Sequence, residues 1–90
     1  MYPICEVIWK DAWIDTDDIT VADAKELKAI VRHTVGYLIE IKENEGLILC
    51  TDWYPDEIEY VNTPIVIPWG MVINYKTIDN TITNSFDKIN

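Results

Sequence analysis

The stretch 30–42 restricts the fold more than any other part of the chain, because apolar side chains recur at alternate positions over most of its length. A period of two is typical of a β-strand with one face against a core. The predicted inward face consists of Val31, His33, Val35, Tyr37, Ile39 and Ile41. A polar turn ending at Gly46 and an apolar run at 47–53 follow, so 30–53 is predicted to be a β-hairpin.

The remaining residues predict three further short strands and one helix. Residues 4–14 form the first strand, with Cys5, Val7, Trp9 and Trp13 on its apolar face. A helix is predicted to begin after the N-cap Thr20 and to run to about Lys28. The segments 64–67 and 72–78 predict the last two strands, and a Pro-Xaa-Gly turn separates them.

Five short strands with one short helix in the first connection predict a mainly β protein. We expect a small SH3-like or Sm-like barrel, which leaves no exposed sheet edge. An open antiparallel sheet with a helix on it and an OB-type barrel are the alternatives. A chain of 90 residues makes one domain. That domain is predicted over 1–78, and 79–90 is predicted to be a polar C-terminal tail or an extra strand.

The charge balance restricts the classes of partner. With 16 acidic and 7 basic residues the formal charge is −9. Direct nucleic-acid binding is therefore not expected, because it requires lysine and arginine to replace counterions. The apolar runs are too short for a membrane-spanning helix, and the first residues lack a signal-peptide pattern. We accordingly expect a cytoplasmic protein.

The reactive residue types are sparse. Cys5 and Cys50 are isolated, and we expect them to be small buried hydrophobes. Two cysteines and the single histidine cannot by themselves form a Cys/His zinc site. The sequence contains no paired nucleophile and base and no glycine-rich phosphate loop. The prediction is a protein that is not an enzyme and that carries neither cofactor nor metal.

Three stretches follow a recurrent pattern: 9–13 (Trp-Lys-Asp-Ala-Trp), 34–38 (Thr-Val-Gly-Tyr-Leu) and 67–71 (Ile-Pro-Trp-Gly-Met). In this pattern the chain resembles small proteins that bacteriophages and related mobile elements encode. The resemblance covers about 7–78. It implies an SH3-like barrel in a phage accessory protein, located in the cytoplasm of the host cell. It implies no activity and no catalytic residues.

An acidic, aromatic-containing surface is the first candidate interaction site. It consists of Asp52, Trp53, Tyr54, Asp56, Glu57, Glu59, Tyr60 and Trp69, most of them in a predicted loop at 54–60. Carboxylates beside aromatic anchors suit a basic protein partner, through complementary charge and aromatic hot spots. Such a partner would be a host protein, for example a host-defence or nucleic-acid enzyme that this chain inhibits.

Two alternatives stay open. In the first, an oligomer sequesters a small nucleotide-like ligand through Trp13, Lys28, Arg32 and His33. In the second, the chain is a structural or virion-assembly component. A homo-oligomer is expected because the run 47–50 is apolar on both faces and four tryptophans exceed what a small core buries. Among the tryptophans, Trp69 is predicted to be exposed.

Overall fold

Two antiparallel sheets of unequal size make up the described part of this computed structural model, which comprises residues 2–14 and 16–78. The strands are β1 (Ile4–Asp11), β2 (Ile30–Lys42), β3 (Gly46–Cys50), β4 (Asp52–Tyr54), β5 (Tyr60–Asn62), β6 (Ile65–Pro68) and β7 (Val72–Ile78). A short helix, α1 (Val21–Lys25), lies between β1 and β2, and a 3-10 turn (Trp69–Met71) joins β6 to β7. The tail or strand predicted at 79–90 lies outside the described residues.

The larger sheet has five antiparallel strands in the order β6-β3-β2-β1-β7. The prediction of a mainly β protein is therefore confirmed. The sheet is not closed, since no pairing joins β6 to β7 in the part of the chain that is described. These two edge strands are connected through the three-residue turn Trp69–Met71. The turn holds the edges near each other at one corner without forming the ladder that a closed barrel needs.

The core-facing side of β2 is the opposite of the predicted one. In the antiparallel register Thr34 lies across from Val7, and Gly36 lies across from Cys5. Val7 and Cys5 are fully buried. The indole Nε1 of Trp9, which is also buried, donates a hydrogen bond of 2.9 Å to Thr34 Oγ1. Thr34 and Gly36 therefore lie on the core-facing side of β2.

The residues predicted to point inward lie on the outer face of this part of β2. His33 is exposed, so the prediction that it lies on the inward face is wrong. Its neighbours on that face, Val31 and Val35, are 51% and 55% exposed. Because side chains alternate across a strand, a one-residue error in the face assignment inverts every position. The apolar side chains at 31–37 therefore lie on the outer face of the sheet. On the core side of this region, the apolar side chains come from the paired strand β1.

The centre of the core lies around β3. Leu47 and Leu49 pack with Ile67 of β6, and all three are at most 1% exposed. Burying a leucine or isoleucine side chain contributes roughly 1.5–3 kcal/mol. Strand β3 lies between β2 and β6 in the sheet, with Leu47 and Leu49 on its core-facing side, whereas Ile48 on the other side is partly exposed. Gly46 is required at the start of β3, since its φ is +154° and a Cβ there would overlap the Ile67 carbonyl.

Both cysteines are free and buried, as predicted. Cys5 pairs with one edge of β2 and Cys50 with the other, so the whole width of β2 separates them. Two strand spacings amount to about 10 Å, which is beyond the reach of a disulfide. Burial raises the pKa of both thiols above the ordinary value. They therefore remain protonated packing groups at neutral pH.

Candidate functional site

Residues 52–62 form a β-hairpin, here called the acidic hairpin, whereas the sequence predicted a loop at 54–60 and the end of the preceding strand at 52–53. Strands β4 and β5 pair in the register Asp52 with Asn62, Trp53 with Val61 and Tyr54 with Tyr60. The Thr51 backbone N–H donates 3.2 Å to the carbonyl of Asn62 and closes the base. Pro55 and the carboxylates beyond it occupy the tip. The hairpin forms its own two-stranded sheet, beyond the end of β3.

An aromatic cluster joins the acidic hairpin to the rest of the protein. The ring of Trp53 contacts Tyr2 edge-on at a centroid distance of 5.3 Å and Tyr37 at 6.3 Å. Such edge-to-face pairs contribute about 0.5–1.5 kcal/mol beyond area burial. The Tyr2 hydroxyl donates 2.8 Å to Glu59 Oε2. That hydrogen bond, with the negative charge of Glu59, raises the pKa of Tyr2 above its ordinary value. The cluster fixes the position of the hairpin.

The outer part of the acidic hairpin presents aromatic rings and carboxylates to solvent. Tyr54 and Tyr60 stack at a centroid distance of 5.5 Å with 20° between their planes, and they are 47% and 48% exposed. Asp52, Asp56, Glu57 and Glu59 are exposed on the same hairpin. The wider stretch 43–75 contains no lysine, arginine or histidine. Its charge is therefore of one sign throughout.

Trp69 does not belong to this surface, and the prediction that it is exposed is wrong. Its ring is half-buried against the core, and its Nε1 donates 2.8 Å to the carbonyl of Lys42. Its backbone N–H donates to Glu45. These contacts lie at the Gly46 end of β3, whereas the acidic hairpin follows the Cys50 end. Trp69 lies in a turn, as the neighbouring Pro68 and Gly70 indicate, but its indole packs against the core.

The residues of the alternative ligand site are only partly brought together. Trp13 Nε1 donates 2.7 Å to the carbonyl of Lys28, and both side chains line a shallow hollow. Arg32 instead forms an ion pair of 2.6 Å with Asp11. His33 follows Arg32 in a strand and therefore lies on the other face of the sheet. This arrangement divides the four residues among three environments.

The connection 12–29, here called the arm, leaves the sheet between β1 and β2. Its described residues are exposed, and α1 has no buried residue. Thr20 is the N-cap, as predicted, and its side chain accepts a hydrogen bond of 3.1 Å from the Asp23 backbone. The helix ends at Lys25 rather than near Lys28. Helices this short are not stable without packing.

The part of the chain that is described contains neither a metal-binding group of side chains nor a helix able to cross a membrane. Within 2–14 and 16–78, no three histidine, cysteine or acidic side chains are grouped in a way that could hold a metal ion. No helix among those residues is long and apolar enough to cross a membrane. No protein-family model, curated protein or solved structure matches this chain. The acidic hairpin with its aromatic support is the most distinctive surface.

Sequence reasoning missed the contribution of Tyr2 and Tyr37 to this surface. Tyr2 contacts Glu59 across 57 positions of sequence, and no local pattern announces such a contact. The hairpin itself had a weak local indication. The apolar residues Trp53 and Val61 flank a Pro-Asp-Glu segment of the kind that turns a chain.

Proposed function

We propose that this chain is a non-enzymatic binding protein that acts through the acidic hairpin on a basic protein partner. The observation that carries the proposal is the exposed, stacked pair Tyr54 and Tyr60 within a stretch, 43–75, that holds carboxylates and no cation. Tyrosine is enriched at binding hot spots because it buries a large area at low entropic cost. Carboxylates of one sign accelerate encounter with a positively charged surface and exclude acidic partners.

The support of the hairpin adds to this proposal. Trp53, Tyr2 and Tyr37 hold the hairpin by ring contacts, so its outer residues are oriented before a partner arrives. A preformed surface loses less conformational entropy on binding than a mobile loop does. The aromatic pair and the carboxylates are therefore available at little ordering cost.

We further propose the phage-type identity and the SH3-like barrel class for this chain. The support is the resemblance across 7–78, together with five antiparallel strands and a helix in the first connection. In that setting the partner is a basic host protein in the cytoplasm, such as a defence or nucleic-acid enzyme. Enzymes of this kind carry positive surfaces for phosphate, and a chain with a formal charge of −9 can compete for them.

A homo-oligomer is part of the same proposal, and its support now comes from the arm. Ile14 and Val21 are 83% and 71% exposed there, and a second copy of the chain would remove such apolar side chains from water. Sedimentation equilibrium checks this directly. We expect a species heavier than one chain, and a pure monomer at high protein concentration would contradict it.

The test of the proposed function compares two variants with the same change in charge. Asp56→Asn, Glu57→Gln and Glu59→Gln are combined in the hairpin variant, and Asp18→Asn, Asp23→Asn and Glu26→Gln in the arm control. Each tagged protein captures partners from a bacterial host lysate, and bound proteins elute in a stepwise salt gradient. We expect a basic protein that binds wild type and the arm control, leaves at raised salt and is lost from the hairpin variant. Equal capture by both variants would contradict the proposal.

A further inference from the structure

An apolar pocket lies at the base of the acidic hairpin. Its volume is ≈ 170 Å³. Leu49, Cys50 and Ile65 contribute apolar walls, and Thr51 and Thr63 stand where the chain enters and leaves the hairpin. An engineered cavity of about 150 Å³ admits a benzene ring. The pocket is therefore large enough for one apolar side chain.

The pocket lies where β3 has ended at Cys50 but the first half of the neighbouring strand β2 continues. Cys50 is the last residue of β3 and pairs with Tyr37, and the chain then leaves the sheet. The segment 34–36 of β2 is paired with β1 on one side, and no described strand is paired with it on the other. Gly36, which also lines the pocket, allows a close approach of the Cys50 backbone, since a Cβ there would lie 2.6 Å from the Cys50 carbonyl oxygen.

The rim of the pocket contains the one non-glycine residue with positive φ among the described residues. Thr63 has a φ of 50°. Positive φ is unfavourable for a β-branched residue, and Pro64 next to it further restricts the backbone of Thr63. Strained backbone of this kind is concentrated at ligand-binding sites. The strain coincides with the pocket rather than with the hairpin tip.

We propose that this pocket receives one apolar side chain, leucine- or phenylalanine-sized, from a basic segment of the protein partner. This inference rests on the proposed function and specifies its partner. The charge pattern selects the occupant: Asp52 follows Thr51 directly, and the hairpin above the pocket carries only carboxylates. A bound segment therefore places its apolar residue in the pocket and its lysines or arginines beside the hairpin.

Two peptide libraries test the inference. Both are fluorescein-labelled nonapeptides with Lys, Arg, Gly or Ser at the outer positions; one has phenylalanine fixed at the centre and the other alanine. Fluorescence anisotropy gives the dissociation constant of each library. With wild type we expect the phenylalanine library to bind about ten-fold more tightly, a difference of about 1.4 kcal/mol. Equal affinity of the two libraries would overturn the pocket inference.

A matched pair of variants tests whether the preference for the phenylalanine library arises in the pocket. Val35 lines the pocket, whereas Val31 lies on the same face of β2 outside it and is similarly exposed. We expect Val35→Trp to obstruct the pocket and abolish the preference for phenylalanine, and Val31→Trp to retain that preference. Loss of the preference in both variants would contradict the assignment. Circular dichroism verifies that each variant is folded.

The two proposals fail in different ways. The hairpin variant with Asp56→Asn, Glu57→Gln and Glu59→Gln should weaken both libraries by the same factor, because it removes charge and leaves the pocket intact. If both libraries bind equally but respond to this variant, the pocket inference is wrong and the acidic hairpin stands. If neither library binds wild type, both proposals are wrong. Competition by free nucleotides for the phenylalanine library would assign the pocket to a small ligand instead.

Discussion

The acidic hairpin and the arm are both exposed connections that leave the main sheet, yet they are built differently. The hairpin has carboxylates of one sign, and ring contacts of Trp53 tie it to Tyr2 and Tyr37. The arm mixes acids with Lys25 and Lys28, and its helix buries nothing. A connection that the chain itself holds in place can serve as a recognition surface. The arm, in which Ile14 and Val21 are exposed, is the region where we propose self-association.

The largest expected difference between these regions concerns their tryptophans. Trp53→Ala should lower the free energy of unfolding by about 2–3 kcal/mol, because the half-buried indole contacts two tyrosines. Trp13→Ala should lower it by less than about 1 kcal/mol, since Trp13 is 43% exposed. Urea denaturation followed by circular dichroism measures both. An equal loss would show that the hairpin is no better anchored than the arm.

A threonine-to-glycine substitution should have opposite effects at the two connections. At Thr63, where φ is 50°, glycine relieves strain and should raise the free energy of unfolding by about 1 kcal/mol. At Thr16 in the arm glycine only adds flexibility to the unfolded chain and should lower stability by about 0.5 kcal/mol. Thermal unfolding of the two variants gives the signs. A loss of stability in Thr63→Gly would contradict the strain at the pocket rim.

The apolar residues of the arm should affect association more than folding. Val21→Ser removes an exposed apolar group, so we expect it to change the free energy of unfolding of the single chain by less than about 0.5 kcal/mol. We expect the same change to shift sedimentation toward lighter species. Val66→Ser, at an exposed position of β6, is the control and should leave sedimentation as in wild type. If neither substitution alters sedimentation, the arm is not the site of self-association.

The smallest expected effect is a pH dependence of the hairpin attachment. The hydrogen bond from Tyr2 to Glu59 raises the pKa of the Tyr2 phenol, so the folded state holds this proton more tightly than the unfolded state. The contribution of this hydrogen bond to the stability of the folded state is complete below the ordinary tyrosine pKa of 10.0. It is lost as the pH rises through the raised pKa of Tyr2.

Tryptophan fluorescence measured across alkaline pH should show this loosening in wild type and not in Tyr2→Phe. The control Tyr75→Phe should retain it. A fluorescence change that persists in Tyr2→Phe would assign the transition to another group.

Local patterns predicted the strands well and the tertiary relations poorly. Alternation over 30–42 gave the limits of β2, Ile30–Lys42, and the turn that follows it. It also gave the wrong face, because Thr34 and Gly36 are the residues that lie across from buried positions of β1. The apolar period reports which side of a strand is apolar, and it does not report how much bulk the neighbouring strand supplies.

In the candidate site, too, local sequence patterns are informative and tertiary contacts are not foreseen. Sequence pointed to Trp53, Tyr54 and Tyr60 together with the nearby carboxylates, and the structure gathers these on one hairpin. Tyr2 joins them only through tertiary folding, and the pocket beside Gly36 depends on where β3 stops. Neither feature has a period or a motif. Both depend on residues that are far apart in the sequence.

Site-specific photo-cross-linking tests the central claim most directly. A benzophenone amino acid replaces Tyr54 in the acidic hairpin or, as the matched position, Trp13 in the arm. Both side chains are similarly exposed, so both report nearby protein equally well. After irradiation in bacterial cells, we expect position 54 to be cross-linked to a basic host protein. We expect position 13 not to be cross-linked to that protein. A cross-link to a host protein from position 13 alone would contradict the central claim.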